Sequence, residues 1–280
     1  MDQNPGHLNH AGTIDALEEE LSRTVRLAEQ TPGDLPIPTC PGWTSADLWE
    51  HLGTVHRWVT EIVRERPTER VSRRNIDPKV PTDGLWSPWM AEGADDLLAV
   101  LRDTSAEDPM WSWGADQHAR WWARRQLHET VVHNADAALA LGEEFDVVAP
   151  VAADGVCELL DNTAVRLTWP GAKPPADPVT IHLHATDAAD PALPDAGAAG
   201  LGDLGEWMIE LGDGNVSYTH GHGKGDVAVR APVTTLMLLM NRRVDPQDFS
   251  DPGSTVGGVA GEVFGEPSVL AGALESLSLA

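Results

Sequence analysis

The 280-residue chain carries 44 acidic residues against 19 basic ones, which gives a formal net charge of −25 at pH 7, and 41% of its residues are hydrophobic. This balance excludes nucleic acid and anionic membrane surfaces as natural partners, because Lys and Arg must supply the charge that binds them. No signal peptide and no apolar run near the ~20 residues of a membrane span is visible, and the two cysteines are too few for a disulfide framework, so we expect a cytoplasmic protein.

The first half of the chain predicts four helices with long connections. Helical spacing of apolar residues places these helices at residues 13–30, 45–65, 94–103 and 121–141. A proline-rich loop at 31–41 leads through Cys40-Pro41-Gly42-Trp43 to Thr44 or Ser45 as the cap of the second helix. The prolines of residues 66–92 predict irregular structure.

Two of these helices carry residues that can bind a metal. Glu129 and His133 lie four apart on the fourth helix, so their Cβ atoms are about 5–6 Å apart. A Glu–His pair of this kind, taken alone, more often lies on a solvated face. His51 lies in the inward stripe of the second helix, and a single histidine there is more often a core residue than a ligand. Together the three supply two imidazoles and a carboxylate, which leaves an open position on zinc and also suits iron(II) or nickel(II). His56 is expected to be partly exposed.

The second half changes from helical to alternating patterns. A helix is predicted at 151–162, strands at 165–169 and 179–184, a hairpin of 207–211 and 216–218 across Gly212-Asp213-Gly214, a strand at 226–230, and helices at 232–242 and 269–279. Residues 187–205 are rich in Asp, Ala, Gly and Pro and predict disorder. We therefore expect two domains, a helical one at 1–148 and a small α+β domain at 149–280.

Two histidine pairs in the second half are predicted to be surface or strand residues. His182 and His184 alternate along a strand, and His220 and His222 flank Gly221 in a glycine-rich stretch. Neither pair has a carboxylate or a cysteine at ligand spacing, so neither is expected to bind a metal. Cys157 is interpreted as core packing.

The motifs of the first half resemble a known family. They are Cys40-Pro41-Gly42-Trp43, Asp47-Leu48-x-x-His51-Leu52, and Trp122-x-Arg124-Arg125-x-x-His128-Glu129-x-x-Val132-His133-x-x-Asp136-Ala137. Together they are similar to the mycothiol-dependent maleylpyruvate isomerases, part of the DinB-like (YfiT-type) group. The resemblance covers essentially the whole chain and is strongest at 38–60 and 118–141. It implies a DinB-like four-helix bundle followed by a small α+β domain of sterol-carrier type.

The resemblance also implies a site. His51, Glu129 and His133 match the family positions that bind a divalent metal, usually zinc, and mycothiol would be the thiol cosubstrate. Trp43 and Trp122, one in each motif block, are predicted to contact the cofactor. The family commonly has an arginine where this chain has Asn134, which is expected to alter anion binding at the mouth of the site and argues against maleylpyruvate itself as the substrate.

Two arginines are predicted to be catalytic. Arg125 is expected to bind an anion or a carboxylate of the site, with pairing to Asp136 or to a surface acid as the equal alternative. The family uses an arginine of the C-terminal domain to bind the substrate carboxylate, and Arg242 is taken for that role, with Arg230 and Arg243 as alternatives.

The leading functional hypothesis is a metal-dependent thiol transferase or isomerase. A small thiol would be activated as a metal-bound thiolate and would attack an electrophilic small molecule. The alternatives are a thiol-independent metalloenzyme, a hydrolase or lyase, and a non-catalytic module that binds a small molecule. Cys40 is more often a packing residue than a nucleophile in such a position. The protein is expected to be a monomer or a homodimer.

Overall fold

The computed structural model describes residues 8–172, 178–187, 201–250 and 261–277, and the chain is an α plus β protein. Within these residues there are seven α-helices and one mixed five-stranded sheet. No helix of this described part has the length and apolar character needed to cross a membrane. The structure divides into two compact units, residues 9–145 and the described residues from 146 onward. The predicted domains 1–148 and 149–280 stay a prediction, since compactness does not show that either part folds alone.

The first unit consists of four helices that pack against one another. They are α1 (His10–Gln30), α2 (Ser45–Glu65), α3 (Trp86–Arg102) and α4 (Ala119–Ala140). Both α1 and α2 pack against α3 and α4, around fully buried leucines such as Leu17, Leu52 and Leu97. The predicted first, second and fourth helices are confirmed to within three residues at each end. The start of α2 is fixed by a capping box, in which Thr44 and Asp47 bond each other's backbone N–H.

The third helix begins eight residues earlier than predicted. The prolines of 66–92 predict irregular structure, and this is wrong from Trp86 onward, because Pro88 occupies the first turn of α3. A proline there removes no intrahelical hydrogen bond, since the first N–H groups of a helix have no partner in it. The ring of Trp89 also lies where a Cβ on Gly53 would be, only 2.1 Å away, so α2 and α3 approach closely at this glycine.

The helix α4 is buried along most of its length, including many of its polar side chains. Asn134 is fully buried and faces α1, where its amide donates to the backbone oxygen and to the carboxylate of Glu20 at 2.9 Å each. Thr24 donates to the amide oxygen of Asn134 at 2.8 Å. Asn134 therefore joins α4 to α1, and the expectation that the loss of the family's arginine alters anion binding stays a prediction.

The second unit is a mixed sheet with three helices. Its elements are α5 (Ala149–Arg166), β1 (Val179–Ala185), β2 (Glu206–Gly212), β3 (Asn215–His220), β4 (Val227–Ala231), α6 (Val233–Met240), β5 (Glu262–Phe264) and α7 (Pro267–Leu277). The strand order is β3-β2-β1-β4-β5, with β1 and β4 parallel and the other neighbours antiparallel. α5 packs against α6 and β3.

The predicted strands and helices of this unit hold within about three residues except at the end of α5, and the short strand β5 was not predicted. The strand predicted at 165–169 is wrong, because α5 continues to Arg166 and is tied to α7 by a 3.0 Å hydrogen bond from Thr163 to the backbone of Leu277. The predicted hairpin is confirmed, and Asp213 and Gly214 at its turn both have positive φ, as a type I′ turn requires. The predicted disorder at 187–205 falls mostly outside the described residues, and its described end contains the short 3₁₀ helix Gly202–Gly205.

Candidate functional site

Three side chains from two helices converge in the first unit. The Nε2 atom of His51 on α2 lies 3.0 Å from Oε1 of Glu129 on α4, and the Nε2 atom of His133 lies 3.5 Å from the same oxygen. One nitrogen or oxygen from each residue lies within 4.8 Å of the other two. We call His51, Glu129 and His133 the helical cluster.

The donor set of the helical cluster fits a divalent transition metal. Two imidazole nitrogens and one carboxylate oxygen are common ligands of zinc, and a tetrahedral ion with bonds of about 2.0 Å separates its ligands by about 3.3 Å. The observed separations from Oε1 of Glu129, 3.0 and 3.5 Å, are close to this value. Three protein ligands would leave one position of a four-coordinate ion open.

Arg125 holds the carboxylate of the helical cluster. Its guanidinium donates to Oε2 of Glu129 at 2.8 Å, one helical turn away, and Arg125 is itself only 8% exposed. Burial disfavours a charged Glu129, but the charge of Arg125 and the hydrogen bonds of His133 and His51 outweigh it and hold the pKa of Glu129 well below its usual range. The carboxylate is therefore ionised, as a metal ligand must be.

Asp136 orients one imidazole of the helical cluster. This fully buried carboxylate lies 2.8 Å from Nδ1 of His133, which turns Nε2 toward Glu129. Thr39 and Cys40 donate to the same carboxylate at 2.6 and 3.4 Å. Burial disfavours a charged His133, yet the hydrogen bonds and charges of Asp136 and Glu129 raise its pKa to about 9.

The turn Cys40-Pro41-Gly42-Trp43 brings the Trp43 ring to the helical cluster. Trp43 N–H donates to the Cys40 carbonyl at 3.0 Å, and Gly42 has φ +86°, which matches a type II turn with Pro41 at its second position. The turn sets the Trp43 ring 5.1 Å from the His51 ring and 6.2 Å from the His133 ring, centroid to centroid. Trp43 thus forms a wall of the site.

The other two predicted site residues lie elsewhere. Trp122 is fully buried in a group of tryptophan rings, and its N–H donates to the backbone of Trp111 at 2.7 Å, so the structure does not bring it to the helical cluster. Arg242 belongs to the second unit, where it is exposed after α6 with φ +61°. Its catalytic role stays a prediction.

Sequence reasoning overlooked two residues around the cluster and misjudged a third. The guanidinium of Arg73, on the 3₁₀ helix Arg73–Asn75, lies 3.5 Å from Nδ1 of His51, and an exposed arginine in a proline-rich connection gives no signal of such a place. The role of Asp136 could have been found, because it follows His133 by three residues on one helix. His56 is fully buried rather than partly exposed, 3.0 Å from the Thr130 hydroxyl, and burial lowers its pKa to about 3.

Two family models cover most of the chain. The Mycothiol maleylpyruvate isomerase N-terminal domain matches residues 14–138, and the MDMPI C-terminal domain matches residues 150–270. Among solved structures, a mycothiol-dependent maleylpyruvate isomerase and a histidine-to-alanine mutant of it match with TM-scores of 0.54 and 0.53. Each is 12% identical to this chain, and each match covers 84% of this chain and 90% of the other. None of the curated proteins matches the chain significantly in sequence.

The chain is a two-unit α plus β protein with a histidine–glutamate cluster between helices of its first unit. The two family models identify it further. The chain belongs to the mycothiol-dependent maleylpyruvate isomerase family. At 12% identity, the likeness to the solved structures shows the fold alone.

Proposed function

We propose that this protein is a divalent-metal-dependent enzyme that uses a small thiol, mycothiol, either to isomerise an electrophilic small molecule or to transfer the thiol sulfur to it. The observation that carries the proposal is the convergence of His51, Glu129 and His133, with the carboxylate held ionised by Arg125. Zinc is the expected metal, with nickel(II) and iron(II) as alternatives. Membership of the family supports mycothiol as the thiol.

In this proposal the helical cluster holds the metal, and the residues around it support the ligands. His51, Glu129 and His133 would hold the metal, which would supply a Lewis acid that lowers the pKa of a bound thiol. Arg125 keeps Glu129 ionised, so it is a positioning residue, and Asp136 keeps the Nε2 of His133 turned toward the cluster. Trp43 forms a wall of the site beside the two imidazoles.

The reaction needs no covalent group from the chain. The thiolate sulfur adds to one carbon of a conjugated cis alkene, and the electron pair of the double bond moves to the conjugated carbonyl. The remaining single bond rotates, and departure of the thiolate restores the alkene in its trans form without gain or loss of atoms. In S-transfer, the sulfur would instead displace a leaving group. Arg73, at the outer side of His51, favours an anionic substrate.

The finer structural assignments belong to the same proposal. The four packed helices support a DinB-like four-helix bundle, and the mixed sheet with its helices supports a C-terminal domain of sterol-carrier type. Binding of the substrate carboxylate by Arg242, a cytoplasmic location and a monomeric or homodimeric state complete the proposal. Contact of Trp122 with the cofactor is not part of it, because that ring is fully buried.

The proposal is tested by metal content and thiol-dependent turnover in matched variants. His51→Ala and His133→Ala should each lose one equivalent of zinc relative to wild type, together with turnover of maleylpyruvate or a related cis-enone acid in the presence of mycothiol. His118→Ala removes a partly exposed histidine outside the cluster and serves as the control, which should keep both. Equal zinc content in wild type and both cluster variants would refute the metal site.

The thiol-independent metalloenzyme remains the second candidate because three ligands leave a position that water can occupy equally well. An assay of turnover without the thiol distinguishes the thiol-independent metalloenzyme from the thiol-dependent enzyme. Turnover that needs the metal and not the thiol supports a hydrolase or lyase, whereas turnover that needs both supports the thiol enzyme.

A further inference from the structure

A second cluster of histidines and glutamate lies on the sheet of the second unit. His182 and His184 extend from β1, Glu206 begins β2, and His222 follows the end of β3. We call these four residues the sheet cluster. One nitrogen or oxygen from each lies within 4.8 Å of all the others.

Glu206 is the centre of the sheet cluster. Its Oε2 lies 2.8 Å from Nε2 of His182 and 3.0 Å from Nδ1 of His222, and its Oε1 lies 3.2 Å from Nδ1 of His184. The cluster extends from the interior to the surface, since the His182 side chain is 7% exposed and that of His222 is 80% exposed. Access is therefore from the side of His222.

Strand pairing assembles this cluster from distant parts of the sequence. His182 and His184 share one face of β1 because alternate residues of a strand do. The antiparallel register pairs His184 directly with Glu206, which puts the carboxylate beside both imidazoles.

The segment that carries His222 is held at both ends. Gly221 N–H donates to the Glu206 carbonyl at 3.1 Å, and the Asp226 carboxylate accepts from the backbone N–H of Thr180 at 2.9 Å. Between them, a Cβ on Gly225 would lie 2.9 Å from the backbone nitrogen of His182, so only glycine allows the segment to lie this close to β1. His222 is exposed on a backbone that is tied to the sheet.

The donor set of the sheet cluster selects the class of cation. Three imidazole nitrogens and one carboxylate oxygen suit zinc and its first-row neighbours, whereas Mg²⁺ and Ca²⁺ prefer oxygen ligands. Four protein ligands fill a tetrahedral zinc ion, which is the arrangement of a structural site. The two separations from Oε2 of Glu206, 2.8 Å to His182 and 3.0 Å to His222, lie close to the roughly 3.3 Å between ligands of such an ion. His184 lies 3.2 Å from the other carboxylate oxygen, Oε1.

We propose that His182, His184, Glu206 and His222 form a second metal site, which binds zinc or a similar divalent transition metal and fastens the segment after β3 to β1 and β2. This site is independent of the proposed function, because its four ligands belong to the second unit and the helical cluster belongs to the first. The competing interpretation is a hydrogen-bonded cluster in which three imidazoles donate to one carboxylate and no metal binds.

Zinc stoichiometry of the full chain tests the proposal. Four proteins are stripped with a chelator, dialysed against zinc and analysed for metal: wild type, His51→Ala/His133→Ala, His184→Ala/His222→Ala, and the quadruple variant. The expected contents are two, one, one and zero zinc ions per chain. His220→Gln is the matched control, because His220 ends β3 with its ring against Trp207 and is not a member of the cluster, so this variant should keep two.

A second measurement guards against loss of fold. Zinc should raise the melting temperature of His51→Ala/His133→Ala, and the rise should vanish when His184→Ala/His222→Ala is added, with circular dichroism unchanged. Glu206→Gln in the same background keeps the shape of the side chain and should weaken zinc binding at least tenfold. The proposal is overturned if the folded His51→Ala/His133→Ala protein binds no zinc, or if its zinc persists after His184→Ala/His222→Ala is added. Failure of the helical cluster would appear differently, as wild-type and His51→Ala/His133→Ala proteins with equal zinc.

Discussion

The helical cluster and the sheet cluster bring similar side chains together by different means. Glu129 and His133 stand one turn apart on α4, and residues of the same helix, Arg125 and Asp136, hold them in place. In the sheet cluster the carboxylate of Glu206 reaches its histidines through strand register and through a tied segment after β3.

The two clusters therefore depend on different interactions. The helical cluster depends on buried charges that compensate one another, and its three ligands leave room for chemistry at a bound metal. The sheet cluster depends on backbone pairing, and its four ligands would close the coordination shell. Variants that remove a charge should therefore damage the helical cluster more than the sheet cluster.

The largest expected effect comes from the two glutamates. Glu129→Gln removes a ligand and also takes the carboxylate from the buried guanidinium of Arg125, so we expect zinc affinity to fall more than about 100-fold and the free energy of unfolding to fall by about 3 kcal/mol. Glu206→Gln should cost only about 1 kcal/mol, because its partners are imidazoles that can be neutral. Urea unfolding and zinc competition measure both. Equal losses of stability would contradict the contrast.

The second largest expected effect concerns Asp136, which orients the proposed metal ligand His133. Asp136→Asn keeps the shape of the side chain but weakens the hydrogen bond to His133, and we expect zinc affinity at the helical cluster to fall about 10–100-fold. Asp226→Asn, an exposed acid beside the sheet cluster, is the control and should leave that affinity unchanged. Both are measured in the His184→Ala/His222→Ala background, and an unchanged affinity in Asp136→Asn would count against the orienting role.

A third effect is the response of the helical unit to acid. The pKa of His56 is about 3 in the fold against 6.5 for an unperturbed histidine, so the unfolded chain takes up a proton between these values and the folded protein does not. The stabilising contribution of neutral His56 is thus fully present above about pH 6.5 and is lost as the pH falls toward 3, with about 2 kcal/mol of it gone by pH 5. In urea unfolding, the free energy of unfolding of His56→Leu relative to that of wild type should therefore rise by about 2 kcal/mol from pH 8 to pH 5. Parallel profiles would show that His56 is not the cause.

The smallest expected effect distinguishes Trp43, beside the helical cluster, from Trp122, in the core. Trp43→Phe shrinks a wall of the helical cluster and should raise KM for the thiol by about threefold, roughly 0.6 kcal/mol of lost contact. Trp122→Phe should leave KM unchanged and reduce stability by about 1 kcal/mol, since it removes a hydrogen bond within the core. Steady-state kinetics and thermal melting distinguish the two, and a raised KM in Trp122→Phe would return that residue to the site.

Local pattern predicted most of the helices and failed where position or tertiary contact decided. Residues 45–65 have an uninterrupted apolar stripe and a capping residue, so α2 is predicted to the residue. Pro88 was compatible with a helix only because it lies in the first turn, which the proline count of 66–92 does not reveal. The short alternation at 165–169 is compatible with a strand, and the continuation of α5 to Arg166 depends on packing against α7.

Local sequence pattern likewise predicts the helical cluster and misses the sheet cluster. Glu129 and His133 could be predicted because helical spacing alone brings them together, and the inward stripe of the second helix added His51, which the resemblance also implies. Glu206 lies 22 positions after His184 in the sequence, and only the strand register places it opposite. His182 and His184 lie on a strand and His222 lies at the surface, as predicted, but local spacing gives no means to find the carboxylate beside them.

The sequence distance between the ligands of the helical cluster has a consequence for folding. His51 and Glu129 are 78 positions apart, so an ion bound to both would act as a reversible cross-link between α2 and α4. Such a link closes a long loop in any partly unfolded chain, and loop closure costs more entropy as the loop lengthens. A chelator would then act as a denaturant, and release of the ion would report the separation of the two helices.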